Sequence, residues 1–229
     1  MLERILEPEV MDSAQDAQEY NDMDHQAVNQ RFVADLIEFA TSLQESETDL
    51  ELGDVLDLGT GTAMIPVELC KQHEDCRVMA VDLAVNMLEL ANYNIEAAGV
   101  ADRITLAQVD AKQMSYDDEM FDVAMSNTIL HHIPHPMDCL KETVRVTCTD
   151  GILFVRDLMR PTDQGTLDEL VQTHAGEGSE YSRKLLRDSL HAALSLTEIR
   201  ELISELGFAA DSVQATSDRH WTWAAVKKQ

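Results

Sequence analysis

Basic residues are scarce in this chain. Seventeen Lys and Arg stand against 43 Asp and Glu in 229 residues, a formal charge of −26. Such a surface repels nucleic-acid phosphates and anionic membranes, which argues against a general nucleic-acid binder. Cysteine is sparse too: Cys70, Cys76, Cys139 and Cys148 show no Cys-x-x-Cys spacing and no His at zinc-ligand intervals. Neither a disulfide framework nor a structural metal site is indicated, and reduced thiols in a cytosol are expected. No apolar run approaches the 18 or so residues of a membrane span. The N-terminus, MLERILEPEV, has acids where a secretion signal needs a basic stretch before an apolar one. A soluble, cytoplasmic chain without repeats or low-complexity tracts is expected.

What is present is enough apolar residue, 45%, for a single domain with a full hydrophobic core. The acidity is uneven: residues 1–50 carry 13 acidic and 2 basic residues, which reads as a solvated surface. Short apolar runs at Val55 to Leu58, Val78 to Val81, Ile104 to Val109, Phe121 to Met125 and Ile152 to Val155 suit strands buried on both faces of a parallel sheet. Between them lie segments long enough for crossover helices. The clearest runs from Ala84 to Ala98, with Met87, Leu88, Ala91 and Ile95 on one face and Gly99 as its C-cap. This alternation predicts an α/β fold with right-handed crossovers.

Two regions lie outside it. An amphipathic helix from Gln26 to Leu43 within residues 1–50 forms an N-terminal helical cap, its Phe32, Val33, Leu36, Ile37 and Ala40 free to pack on the sheet. After the fifth strand, residues 159–195 read as a polar helical insertion. Then comes a closing helix from Leu196 to Leu206, with Ser195 and Glu198 in capping-box spacing. Strands near Asp211 to Ala215 and Trp221 to Val226 bring the sheet to seven.

The most informative stretch is Val55-Leu-Asp-Leu-Gly-Thr-Gly-Thr-Ala63, a strand entering a glycine turn and then a helix. Gly59 and Gly61 let backbone approach a ligand, and Asp82, 21 residues after Gly61 at the end of the second strand, can accept hydrogen bonds from both hydroxyls of a ribose. Together these indicate an adenosine-type site. A nicotinamide-dependent dehydrogenase is the nearest rival, but its fingerprint needs a third glycine where this chain has Met64. The carboxylate of Asp57 beside the turn also repels a pyrophosphate while suiting a cation.

Asp57-Leu-Gly-Thr-Gly-Thr-Ala63 resembles the first motif of class I S-adenosylmethionine-dependent methyltransferases of the small-molecule type, and Asp82 matches their ribose-binding acid. Val109-Asp110-Ala111 is similar to their third-strand acid motif, and Phe121-Asp-Val-Ala-Met-Ser-Asn-Thr-Ile-Leu-His-His132 to their fourth strand and following loop. The resemblance covers residues 53–158, the cofactor-binding core, and the tail at 196–229 resembles the family's closing helix and hairpin. It departs at Ala63, where the family usually has Gly. It implies a Rossmann-like, mostly parallel seven-stranded sheet with helices on both faces. It implies S-adenosyl-L-methionine as cofactor, bound by Asp57, Gly59, Thr60, Gly61, Asp82, Leu83, Asp110, Ala111, Ser126 and Asn127.

On the acceptor side, the resemblance implies that one of His131 and His132 lines the active site. Arg156 and Arg160, near the end of the fifth strand, suit an anionic substrate, although pairing with nearby acids competes for them. His131, His132 and His135 suggest a metal, but adjacent residues on a regular backbone point apart, and Pro134 and Pro136 favour a loop over a helix with i, i+4 ligands. No metal is expected. Tyr20 could cover the donor as part of an N-terminal lid; Trp221 and Trp223, two apart on a strand, read as core.

The expected function is methyl transfer from S-adenosylmethionine to a small-molecule acceptor by in-line displacement. No Asn-Pro-Pro-aromatic motif follows the fourth strand, which argues against enzymes acting on exocyclic amines of nucleic-acid bases. A non-catalytic donor-binding or regulatory protein and a protein methyltransferase remain as alternatives. A homodimer stays open, since the sequence does not set the oligomeric state.

Overall fold

Strand β1, Asp54–Leu58, forms where Val55, Leu56 and Leu58 can all be buried, which only a central strand covered on both faces allows. It pairs in parallel with β2, Arg77–Asp82, in the register Asp57 to Ala80 and Leu58 to Val81, and with β4, Phe121–Asn127, in the register Leu58 to Ser126. Strand β3, Ile104–Gln108, extends the sheet beyond β2. With β5, Thr147–Leu158, β6, Val213–Ala215, and β7, His220–Val226, the order is β3-β2-β1-β4-β5-β7-β6, with β1 to β4 pairing in parallel and β7 antiparallel both to β6 and to β5, where Asp150 meets Lys227 and Met159 meets Arg219. This is the Rossmann-like seven-stranded sheet expected. The computed structural model describes residues 2–8, 10, 13–23, 25–44 and 51–228, so parts of the predicted N-terminal cap, residues 45–50 among them, lie outside it.

The chain packs as two compact units. One comprises residues 10–127, 138–154 and 224–229; the other comprises residues 1–9, 128–137 and 155–223. In the first, helix α2, Gln26–Ser42, buries Phe32, Val33, Leu36 and Ala40 against a core that includes Val55, Val78, Val123 and Phe154. Phe32 meets Phe154 edge to face, ring centroids 5.3 Å apart. Helix α1, Ala14–Asn21, lies against α4, Val85–Ala98, through Ala17, Ala84 and Met87. Gly99 ends α4 in the left-handed conformation, as its place in the sequence predicts. Helix α3, Met64–Gln72, and α5, Pro136–Val146, complete the helices that follow β1 and β4.

In the second unit, α6, Gln164–Ala175, and α7, Glu180–Ala192, pack Leu167, Leu170, Val171 and Leu190 together with Leu158. Helix α8, Leu196–Glu205, carries the capping box of Ser195 and Glu198 with both reciprocal bonds formed. Trp221 and Trp223 are fully buried, and Phe208 stands edge-on to Trp223.

Three expectations need correction. The fifth strand is twelve residues long, so Arg156 and Asp157 lie within it. Pro136 opens α5, since the missing N–H of a proline costs nothing at the first helical position. Strand β6 is only three residues, because Ala210–Ser212 coil into a 3₁₀ turn. Among the described residues no helix is long and apolar enough to cross a membrane.

Two glycines separate steric from conformational cost. Gly53 has φ +64°, and a Cβ there would lie 2.1 Å from Asp122 Oδ2, the oxygen that accepts from the Asp54 N–H at 2.9 Å. Gly99, at φ +71°, has nothing within 4 Å of such an atom. Gly99→Ala should cost about 1 kcal/mol, the left-handed penalty alone. Gly53→Ala should cost at least ~1 kcal/mol more, because Asp122 must turn away and leave its bond; thermal unfolding of both variants checks the order.

Candidate active site

The parallel register of β1, β2 and β4 brings the carboxyl ends of these strands side by side, where open α/β sheets hold their ligands. Gly59 and Gly61 after β1 sit at φ +68° and +54°. Thr60 donates its N–H to the carbonyl of Val81 at 2.9 Å, fixing the turn to β2. Asp82 clamps it further: Oδ2 accepts from the Gly61 N–H at 2.8 Å and Oδ1 from the Ala84 N–H at 2.9 Å. One carboxylate thus ties the chain entering α4 to the glycine turn. Beyond the clamp, a Cβ on Gly61 would meet only Tyr20 Cε1, 3.9 Å away, so the turn is open on that side, with the Tyr20 ring beside it. Ala63 takes a left-handed conformation, φ 58°, as N-cap of α3. The chain thus keeps, with a methyl group, a backbone shape that glycine would adopt freely.

Asp57 lies within β1, 2% exposed, and its Oδ2 has no hydrogen-bond partner. Burial pushes its carboxyl up to about 7; the Thr60 side chain opposes this and the charge of Asp82 adds to it. An orphaned buried oxygen beside an open glycine turn fits a cationic ligand group. Of the other residues expected at the donor site, Leu83 is half-buried and Ala111 buried. Asp110 closes a turn, accepting from Lys112 N at 2.9 Å and Lys112 Nζ at 2.8 Å. Burial raises its pKa, but those bonds outweigh burial and leave it below the usual carboxylate range. Ser126 Oγ donates to the Leu58 carbonyl at 2.8 Å, so its hydroxyl ties β4 to β1. Asn127 ends β4.

The acceptor-side candidates belong to the other unit and are engaged there. His131 is buried, with Nδ1 2.6 Å from Asp157 Oδ1, while its backbone N–H donates to Asp157 Oδ2 at 3.1 Å. Burial lowers the His131 pKa, but the neighbouring Asp157 and Glu7 carboxylates overcome it and leave it raised. His132 is driven down to about 3 by burial and by His131, too weak a base to act near neutrality. Arg156 donates from Nε to Thr222 Oγ1 at 2.9 Å. Arg160 reaches Ala193 O at 3.0 Å and Glu198 Oε1 at 2.6 Å, the pairing with an acid that competes with an acceptor role. His131 and His132 occupy a 3₁₀ turn, Leu130–His132, with ring centroids 4.1 Å apart. The expectation that adjacent imidazoles diverge is corrected: the tighter turn stacks them. Glu7 lies against both rings, and nothing in its sequence spacing signals that contact.

A mostly parallel sheet with a glycine turn after its first strand and an acid closing its second is the arrangement in which open α/β folds hold nucleotides. Residues 56–155 match the methyltransferase domain family. The 27-O-demethylrifamycin SV methyltransferase of Amycolatopsis mediterranei is 27% identical over 183 residues, 78% of this chain and 63% of that protein. The release factor glutamine methyltransferase of Rhodopirellula baltica is 35% identical over 92 residues, 40% of this chain and 31% of that one. The chain thus spans less than two thirds of the length of either relative. In fold, a SAM-dependent methyltransferase from Aquifex aeolicus superposes with a TM-score of 0.66 at 16% identity, covering 93% of this chain and 98% of that one. The chain is thus similar to methyltransferases over residues 56–155 and shares the fold of the solved one.

The raised pKa of Asp57 has a signed consequence for stability. Its folded value, about 7, lies above the ordinary 3.8, so the native state holds a proton that the unfolded chain has released. The stability this contributes is complete below pH ~4 and is lost as pH rises to about 7. Asp57→Asn should remove that loss, flattening denaturant stability between pH 4 and 7 and leaving the variant more stable at pH 8 by a few kcal/mol. An unchanged slope would mean that Asp57 is ionised throughout.

Proposed function

We propose that this protein transfers the methyl group of S-adenosylmethionine to a small-molecule acceptor. The observation that carries the reading is the clamp of Asp82 on the Gly61 and Ala84 amides beside the unpartnered oxygen of Asp57. An ionised carboxylate offers about four acceptor positions, and the two ribose hydroxyls are the ligand groups proposed for Asp82. Asp57 faces the cationic amino-acid end, where a positive charge would stabilise its ionised form. Gly59, Thr60 and Gly61 supply backbone to the same end, Leu83, Asp110 and Ala111 the adenine end, and Ser126 and Asn127 the end of β4.

When bound, S-adenosylmethionine supplies a methyl already activated on a sulfonium. The protein's task is then to hold the acceptor in line and exclude water, worth up to ~10 kcal/mol of barrier when alignment is good. His131, His132, Arg156 and Arg160 are the residues proposed for the acceptor side. Similarity to the rifamycin enzyme over 78% of the chain supports a small-molecule acceptor. A protein acceptor is the second reading, since the release factor enzyme is similar over 40%. That shorter match has the extent of a shared donor-binding core, which favours the first. The high acid content supports a chain working away from nucleic acid, and the cytoplasm is the proposed location.

S-Adenosylhomocysteine should bind with micromolar affinity, on the order of −8 kcal/mol, and Asp82→Ala should weaken it by roughly 2 kcal/mol or more, the loss of charge-assisted contacts. Calorimetry measures both, and absence of binding by the wild type would remove the reading. With radiolabelled donor and a cell extract fractionated by size, label should enter the small-molecule fraction. Label in protein would establish the second reading, and binding without transfer a regulatory protein.

A further inference from the structure

In the second unit, Glu7 faces the paired histidines of the turn after β4. Glu7 Oε1 lies 3.3 Å from His131 Nε2 and 3.2 Å from His132 Nδ1, and one ligand atom from each of the three residues falls within 4.8 Å of the others. A tetrahedral ion with bonds of 2.0–2.1 Å has ligand atoms about 3.3 Å apart, the separation that both imidazole nitrogens keep from the carboxylate oxygen. His132 Nδ1 is buried and makes no hydrogen bond despite its closeness to that oxygen. It sits at the spacing of two ligands of one ion, in the wrong direction for a donor and acceptor.

The surroundings prepare each residue for that task. Asp157 Oδ1, 2.6 Å from His131 Nδ1, can accept a hydrogen bond from that nitrogen, so Nε2 is the nitrogen an ion would meet beside Glu7, displacing any proton there. A carboxylate behind a ligating imidazole is the usual outer support of a metal-bound histidine. The extended segment bearing Glu7 is fixed in place: Arg4 donates from Nε to Ala192 O at 2.6 Å and from Nη2 to Ile133 O at 3.1 Å. The Ile5 N–H donates to His191 O at 3.1 Å, and Ser189 Oγ donates to Glu7 Oε1 at 3.2 Å. His132 is held by the backbone of Pro8. His135, the third histidine of the loop, is exposed and outside the group.

We propose that Glu7, His131 and His132 form a binding site for a divalent transition-metal ion of the zinc type, with Asp157 orienting His131. Two imidazoles and one carboxylate suit zinc and its late first-row neighbours, not magnesium or calcium, which take oxygen shells. Three protein ligands leave a coordination position for water or another ligand. The ion would join the N-terminal segment to the turn after β4, two parts of the chain more than 120 residues apart. The site shares His131 and His132 with the acceptor side proposed above, but metal binding is read without any methyl transfer.

The test uses the full-length chain, untagged and stripped with a chelator, titrated with Zn²⁺ by calorimetry and with Co²⁺ by visible absorption. One equivalent of Zn²⁺ should bind with micromolar or tighter affinity. The Co²⁺ form should show the strong visible bands of a four- or five-coordinate site. Glu7→Gln, isosteric and spared of folding problems, should weaken binding at least tenfold, and His132→Ala likewise, while His135→Ala binds as wild type. Zn²⁺ should raise the Tm of wild type and not of Glu7→Gln. No stoichiometric binding by the folded wild type, or equal binding by Glu7→Gln and His132→Ala, overturns the proposal.

Discussion

One carboxylate, that of Asp82, fixes the geometry on which the donor side depends. It accepts from Gly61 after β1 and from Ala84 before α4, so two loops that leave different strands become one surface. The register of β1 on β2 makes this economical, since Thr60 also donates to Val81 and Val109 donates to the Asp82 carbonyl. Each bond uses the end of a strand whose position the sheet has already set. The turn need not pay ordering entropy when a ligand arrives, because the protein has paid it on folding.

Against this, the treatment of buried charge differs between residues. Asp157 is matched by His131, and Glu198 by Arg160; both carboxylates stay below their ordinary range, burial being outweighed by those partners. Asp57 is as deep as Asp157, unlike the partly exposed Glu198, and has no cation. A chain with 43 acids could have hidden an amide there instead. A lone carboxylate in the core costs stability, and such costs collect where ligands bind.

Much of the first unit was legible in the sequence, because its signals are local. Runs such as Val55 to Leu58 can only be interior strands, Gly99 marks a helix end by its conformation, and Asp57, the glycines and Asp82 form a spaced pattern. The Ser195 and Glu198 box was legible for the same reason. What escaped is long-range. The contact of Glu7 with His131 and His132 joins segments with no shared periodicity. The stacking of those imidazoles depends on a 3₁₀ turn that no residue type announces. The partners of Arg160 lie 33 and 38 positions further on, so the sequence allowed for pairing with an acid but did not show which one. The length of β5 was hidden by Thr147, Cys148 and Thr149, polar residues at its start.

The two units are also interleaved along the chain, which passes from one to the other five times. Neither can be finished during synthesis until nearly all of the polypeptide has emerged, since the first is completed by residues 224–229 and the second by residues 155–223. A fragment holding only the family-matched residues 56–155 would lack Phe32, Val33, Leu36 and Ala40 from its core. Residues 56–155 are therefore no cassette to be excised or grafted onto another protein, because the core that holds them draws on residues that precede them.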